Sequence, residues 1–207
     1  MQTDSTPSPA GNSATHADAP GGASEPSSSL TSLTSLPGPE TASTPKGPRR
    51  ADAPFMLTHP LHIISLGFGS GLSRLAPGTA GTLFAWAAFE VLNRYLSVLD
   101  WGVLIIGGFL AGIWITDFTA KKLRSDDPSS IVWDEIVAFW LVLLMVTPIE
   151  FTGKLWAFVI FRFFDMVKPP PIRYFDRRFK GGFGIMIDDL VAAFFTLLVI
   201  ALWRMSV

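Results

Sequence analysis

Five carboxylates stand inside or beside long apolar runs of this chain, where an uncompensated acid is energetically costly. They are Asp134, Glu135, Asp165, Asp188 and Asp189. Carboxylate oxygens are the ligands that a hard cation such as Mg²⁺ prefers, and the chain has no cysteine to hold a softer metal. A cation among these acids would neutralise their charge near lipid. The pattern therefore predicts a divalent-metal site, provided that the fold brings the acids together.

Groups suited to binding phosphate accompany the acids. Arg162, Asp165 and Lys168 recur every three residues, which places them on one face of a helix. A segment rich in glycine and hydroxyl groups, residues 65–82, leads into a predicted helix, where backbone amides favour anions. Bases and glycine amides close to the acids are what a phosphate requires. Metal and phosphate ligands in one place predict metal-assisted phosphoryl chemistry.

Each motif also has a purely structural interpretation, which the sequence leaves open. Residues 65–82 match neither the P-loop nor the dinucleotide-binding fingerprint and could be a loop at a membrane surface. The spacing of Arg162, Asp165 and Lys168 also suits a ladder of salt bridges within one helix. Acids such as Asp188 in the first turns of a helix are favourable caps. The functional interpretation depends on the convergence of the separate segments.

Long uncharged runs indicate the elements that must position these groups. The runs cover residues 75–89, 101–116, 136–149, 155–161 and 190–203. They lack the alternation of polar and apolar residues and are too long for typical strands, so we predict helices. The mean hydropathy of +0.39 and several tryptophans near the run ends favour a membrane over a soluble bundle. The predicted fold is all-α, a membrane-embedded bundle of about four to five helices.

The distribution of basic residues predicts an orientation. The predicted spans are residues 83–99, 101–118, 132–149 and 187–203, with a helix near residues 155–166 that returns the chain. Residues 66–81, 119–130 and 167–188 would then share one side of the membrane, and they hold most bases of the folded part. The positive-inside rule places that side in the cytoplasm. We therefore expect a multi-pass protein whose site faces the cytoplasm.

The first 53 residues differ in composition from the rest of the chain. They are rich in Ser, Thr, Pro, Gly and Ala and contain no aromatic residue, so we predict a disordered tail before a folded domain at residues 54–207. The formal net charge of -1 argues against a nucleic-acid-binding protein. Nothing in the sequence indicates an obligatory protein partner.

Four motifs in order carry a resemblance to a known family. GFGSGLS with PGTAG, SIVWDE, FRFFDM with the following KP, PIR and FDR, and GGFGIMIDD lie between about Pro60 and Ala193. Together they resemble the bacterial phosphatidylglycerophosphatase A family. The resemblance implies an all-α, Mg²⁺-dependent lipid phosphatase of the bacterial inner membrane. Its expected reaction converts phosphatidylglycerophosphate to phosphatidylglycerol and phosphate, the final step of phosphatidylglycerol synthesis.

The resemblance also implies roles for residues of its motifs. The expected catalytic residues are Asp134, Glu135, Asp165, Lys168 and Asp188. The expected Mg²⁺ ligands are Asp134, Glu135, Asp165, Asp188 and Asp189. The expected phosphate-binding residues are Lys168 and Arg173, with Gly69, Ser70, Gly71, Ser73, Gly78 and Thr79 in the glycine-rich segment. One acid would take a proton from the attacking water.

Three other classes of protein compete with this interpretation. A transporter or channel would spread acids through the depth of the helices, whereas these acids crowd the predicted cytoplasmic ends. A CDP-alcohol-type phospholipid transferase would carry an Asp-x-x-Asp-Gly pattern, which the sequence lacks. A membrane scaffold without catalysis would tolerate single acid-to-amide changes, whereas a metal site would not.

Overall fold

A computed structural model describes residues 47–125, 128–168, 170 and 181–206. The elements in these residues are, in chain order, α1 Ala53–Met56, α2 Pro60–Ser65, a 3₁₀ segment Gly67–Leu72, α3 Pro77–Leu92, α4 Val98–Leu123, α5 Trp133–Val146, α6 Phe151–Val167 and α7 Gly181–Ser206. No strand occurs in the described part of the chain, and the prediction of an all-α bundle is confirmed. Most of the predicted tail, up to residue 46, lies outside the described residues.

Helix α5 is the centre of the bundle and packs against α3, α4, α6 and α7. Its side chains are apolar on nearly every side, as expected for a helix that is surrounded by others. Phe139 and Leu143 are fully buried. Two indole groups of α5 form hydrogen bonds to neighbouring helices. Trp140 Nε1 donates to Ala85 O of α3 at 2.9 Å, and Trp133 Nε1 donates to Gly108 O of α4 at 3.0 Å.

Helices α4 and α7 are the two described helices that are long and apolar enough to cross a membrane. Each has 26 residues, about 39 Å at 1.5 Å per residue, which exceeds the roughly 30 Å hydrocarbon core of a bilayer. One face of α4 presents Ile106, Leu110 and Trp114 outward, each more than 60% exposed. Phe194 and Leu202 of α7 are exposed as well. An apolar outer surface of this kind suits contact with lipid.

The predicted span at residues 83–99 is wrong at both ends. Helix α3 begins at Pro77, because proline is favoured at the first helical position, and it ends at Leu92. A separate capping box starts α4: the Ser97 N–H donates to Asp100 Oδ2 at 2.9 Å, and the Asp100 N–H donates to Ser97 Oγ at 3.3 Å. Helices α3, α5 and α6 have 16, 14 and 17 residues, fewer than the about 20 of an untilted span.

Candidate active site

The five predicted acids meet in one cavity of about 440 Å³ at one end of the bundle. Asp134 and Glu135 stand in the first turn of α5, Asp165 near the end of α6, and Asp188 and Asp189 near the start of α7. All line the cavity, and all except Asp165 are buried. The three helices thus bring together acids that are up to 55 residues apart in the chain.

Glu135, Asp165 and Asp189 form the part of the cavity best suited to a cation. Each offers one carboxylate oxygen, and these three oxygens lie within 4.8 Å of one another. Opposite ligands of one Mg²⁺ ion stand about 4.2 Å apart, so the group is close to the required spacing. Asp189 is 3% exposed, and its Oδ2 accepts no hydrogen bond from the described residues. A buried oxygen in this state is costly unless it binds a proton or a metal. The donor set therefore fits a hard divalent cation.

Arg162 is a member of the cavity that the sequence analysis did not assign to the site. Its Nη1 lies 3.1 Å from Glu135 Oε1 and 2.6 Å from Asp165 Oδ2, and the side chain is 12% exposed. The guanidinium therefore compensates two of the three clustered acids. The spacing of three residues between Arg162 and Asp165 was the available signal, but it predicted only a contact within one helix.

Lys168 lies at the end of α6 and also lines the cavity. Its Nζ lies 2.8 Å from Asp188 Oδ2, and its side chain is 28% exposed. The ammonium group lines the cavity, where it could donate hydrogen bonds to a phosphate. The predicted partner Arg173 lies outside the described residues.

Gly78 lets α3 approach this cluster closely. A Cβ at Gly78 would overlap Glu135 Oε1 and lie 2.9 Å and 3.0 Å from the two terminal nitrogens of Arg162. One turn later, Thr82 Oγ1 lies 3.5 Å from Arg162 Nη1. Only glycine leaves room for the ion pair between Arg162 and Glu135 at this position.

We expect Gly78→Ala to reduce phosphate release by about ten- to a hundredfold, because the added methyl displaces Glu135 and Arg162, and an ångström of misplacement can cost that much. Steady-state phosphate release by the purified variant would test this. Gly107→Ala on α4 is the matched control, since its Cβ meets nothing within 4 Å. Equal activity of Gly78→Ala and the control would contradict the close packing of α3 against the acids.

The other predicted phosphate-binding residues divide between two places. Gly78 and Thr79, at the start of α3, line the cavity of acids. Gly71 and Ser73 line a second cavity next to it. Gly69 and Ser70 belong to the 3₁₀ segment and are not among the described residues that line either cavity. A phosphate-binding role for this segment stays a prediction.

His62 is buried and is not among the described residues that line the cavity of acids. Its ring stacks on Phe55 and Phe118, and its Nδ1 is 3.0 Å from Thr119 Oγ1. Burial, with the nearby charge of His59, lowers the pKa of His62. The residue joins α2 to α4 rather than serving as a nucleophile in the cavity.

Comparison with known proteins identifies the family. The sequence model of the family Phosphatidylglycerophosphatase A matches residues 63–204. The chain belongs to the phosphatidylglycerophosphatase A family. It is 41% identical over 144 residues to Phosphatidylglycerophosphatase A of Haemophilus influenzae, covering 70% of this chain and 88% of the relative. It is 42% identical over 136 residues to the Escherichia coli protein of that name, covering 66% and 78%.

A third relative carries a different name. A Bacteroides thetaiotaomicron protein, provisionally named a phosphatidylinositol-3-phosphatase, is 41% identical over 152 residues, covering 69% of this chain and 92% of the relative. No solved structure shows a significant match.

All five acids of the cavity lie within the residues that the phosphatidylglycerophosphatase A family model matches. Family membership makes the chain a phosphatase, and with its two long apolar helices it is a membrane protein. The predictions of family and enzyme class are confirmed.

Proposed function

We propose that this phosphatidylglycerophosphatase A family member hydrolyses phosphatidylglycerophosphate to phosphatidylglycerol and phosphate in a Mg²⁺-dependent reaction. This would be the final step of phosphatidylglycerol synthesis. The convergence of five carboxylates from three helices in one cavity is the observation that carries the proposal. The names of the two phosphatidylglycerophosphatase A relatives support the substrate, and the third relative makes a phosphoinositide the comparison lipid.

Glu135, Asp165 and Asp189 would hold the Mg²⁺ ion, with Asp134 and Asp188 beside them. When bound, Mg²⁺ supplies charge to polarise the phosphoryl group and lowers the pKa of a coordinated water. This assignment explains why so many acids are buried in an apolar bundle. Without a cation, their mutual repulsion would oppose the packing of α5 against α7.

The cations of the protein would bind the phosphate itself. Lys168 and Arg162 of α6 both line the cavity and can donate hydrogen bonds to phosphoryl oxygens. Their positive charges would stabilise the negative charge of those oxygens. The amides of Gly78 and Thr79 belong to the first turn of α3, where helix N–H groups have no partner within the helix. One of the remaining acids, Asp134 or Asp188, would take the proton of the attacking water.

We propose that the protein spans the bacterial inner membrane more than once, with the cavity on the cytoplasmic side. Gly181 lies beside Asp117, and Met186 lies beside Gly112, so α7 runs back along α4 in the opposite direction. Lys121 and Lys122 end α4 on the side that carries the cavity. Basic residues at the end that carries the cavity support a cytoplasmic orientation by the positive-inside rule.

Phosphate release from phosphatidylglycerophosphate by the full chain in detergent, with Mg²⁺ and with EDTA, tests the proposal. We expect release that EDTA abolishes and that Asp134→Asn reduces by at least about tenfold, since Asp134 lies in the cavity. Glu150→Gln, an exposed acid at the start of α6, controls for loss of a charge. Phosphatidylinositol 3-phosphate in a parallel assay shows whether the headgroup is selected. EDTA-resistant release, or full activity of Asp134→Asn, would overturn the assignment.

A further inference from the structure

A second cavity of about 920 Å³ adjoins the cavity of acids, and its described lining residues carry a net positive charge. Three arginines line it: Arg49 and Arg50, which precede α1, and Arg74, which precedes α3. Four serines also line it, namely Ser73, Ser125, Ser129 and Ser130. Pro77 and Ser129 line both cavities, so the two are immediate neighbours.

Among the described residues that line this second cavity, three arginines outnumber the one acid, Asp52. No carboxylate of the described residues pairs with Arg49, Arg50 or Arg74. Asp52 lines the cavity, but its Oδ1 accepts the Phe55 N–H at 2.8 Å as the cap of α1. Capping leaves the negative charge of Asp52 in the lining, so the described lining residues carry three positive charges and one negative charge.

The segment that carries two of the arginines is held in place by the fold. The Arg49 N–H donates to Leu123 O at the end of α4 at 2.8 Å, and the Arg49 guanidinium lies 5.0 Å from the centre of the Phe55 ring. Phe55 is 3% exposed and packs with Leu123 in a small core cluster. The cavity therefore has an ordered wall on this side.

We propose that this second cavity binds a phosphate group, distinct from the one that is hydrolysed. The ligand is either free phosphate or the headgroup phosphate of an anionic phospholipid. Arginine presents planar pairs of donors that match phosphate oxygens, and serine hydroxyls add further donors. Gly71 and Ser73, predicted from the sequence to bind phosphate, line this cavity. Arg49 and Arg50 precede the residues 63–204 that match the family, so family membership does not assign this site.

Calorimetric titration of inorganic phosphate into the full chain tests the proposal. The protein is held in a zwitterionic detergent with EDTA, which removes binding through a metal in the cavity of acids. We expect Arg50→Gln combined with Arg74→Gln to weaken phosphate binding by at least about tenfold, the usual loss when charged hydrogen bonds are removed. Arg49 is left intact because it packs on Phe55. Arg94→Gln, an exposed arginine beyond the other end of α3, is the matched control.

The lipid source is distinguished in the same experiment. Phosphatidylglycerol added to the micelles would weaken the apparent phosphate affinity if the cavity takes a headgroup, whereas phosphatidylcholine would not. If neither lipid competes, the ligand is free phosphate. The proposal is overturned if the wild-type chain binds no phosphate, if the double variant binds as tightly as the wild type, or if Arg94→Gln weakens binding equally. Because the titration needs no catalysis, its outcome is independent of the proposed reaction.

Discussion

Asp189→Asn is expected to reduce Mg²⁺-dependent phosphate release by at least about a hundredfold, more than the loss usual for a residue that only supports a metal ligand. Asp189 is 3% exposed and offers one of the three clustered oxygens, of which the other two belong to Glu135 and Asp165. Asparagine keeps the shape of the side chain but removes its charge and one of its two acceptor oxygens. The remaining two acids would hold a cation poorly.

A direct binding measurement separates this effect from a general loss of activity. Mn²⁺ prefers the same oxygen ligands as Mg²⁺, so its electron paramagnetic resonance signal reports binding without turnover. We expect Asp189→Asn to lose high-affinity Mn²⁺ binding, whereas the exposed Glu150→Gln keeps it. Unchanged Mn²⁺ affinity in Asp189→Asn would remove this residue from the proposed metal site, whatever the activity.

Gly182→Ala is expected to destabilise the protein by about 1–3 kcal/mol, the usual cost of overpacking. A Cβ at Gly182 would overlap the carbonyl oxygen of Ile113 and lie 2.8 Å from Asp117 Cβ on α4. The backbone of a neighbouring helix cannot rotate away as a side chain can. The first turn of α7 would therefore shift outward, and Asp188 and Asp189 would move with it.

Thermal unfolding in detergent, followed by tryptophan fluorescence, measures this effect. Gly102→Ala on α4 is the control, because its Cβ meets nothing within 4 Å. Alanine is also more favourable than glycine inside a helix, by up to about 1 kcal/mol. We expect a lower midpoint for Gly182→Ala and an unchanged or higher one for Gly102→Ala. Equal midpoints would show that α4 and α7 do not approach each other as closely as the structure places them.

Several properties of this protein follow from its sequence alone. The helices can be recognised from local sequence, since uncharged runs bounded by charges, proline and capping residues indicate them without knowledge of tertiary contacts. The acids could be recognised because a carboxylate beside an apolar run demands an explanation. The order of motifs such as SIVWDE and GGFGIMIDD was sufficient to indicate the family, which the comparisons confirm.

Other properties depend on which helices touch, and only the tertiary structure decided them. Arg162 joins Glu135 because α6 packs beside α5, and the spacing within α6 could not predict that contact. The glycine-rich segment divides between two cavities: Gly71, in the 3₁₀ segment, lines one, and Gly78, in the first turn of α3, lines the other. A sequence period reports which residues share a face of one helix. Contacts between helices depend on side-chain packing between distant segments, which local patterns do not contain.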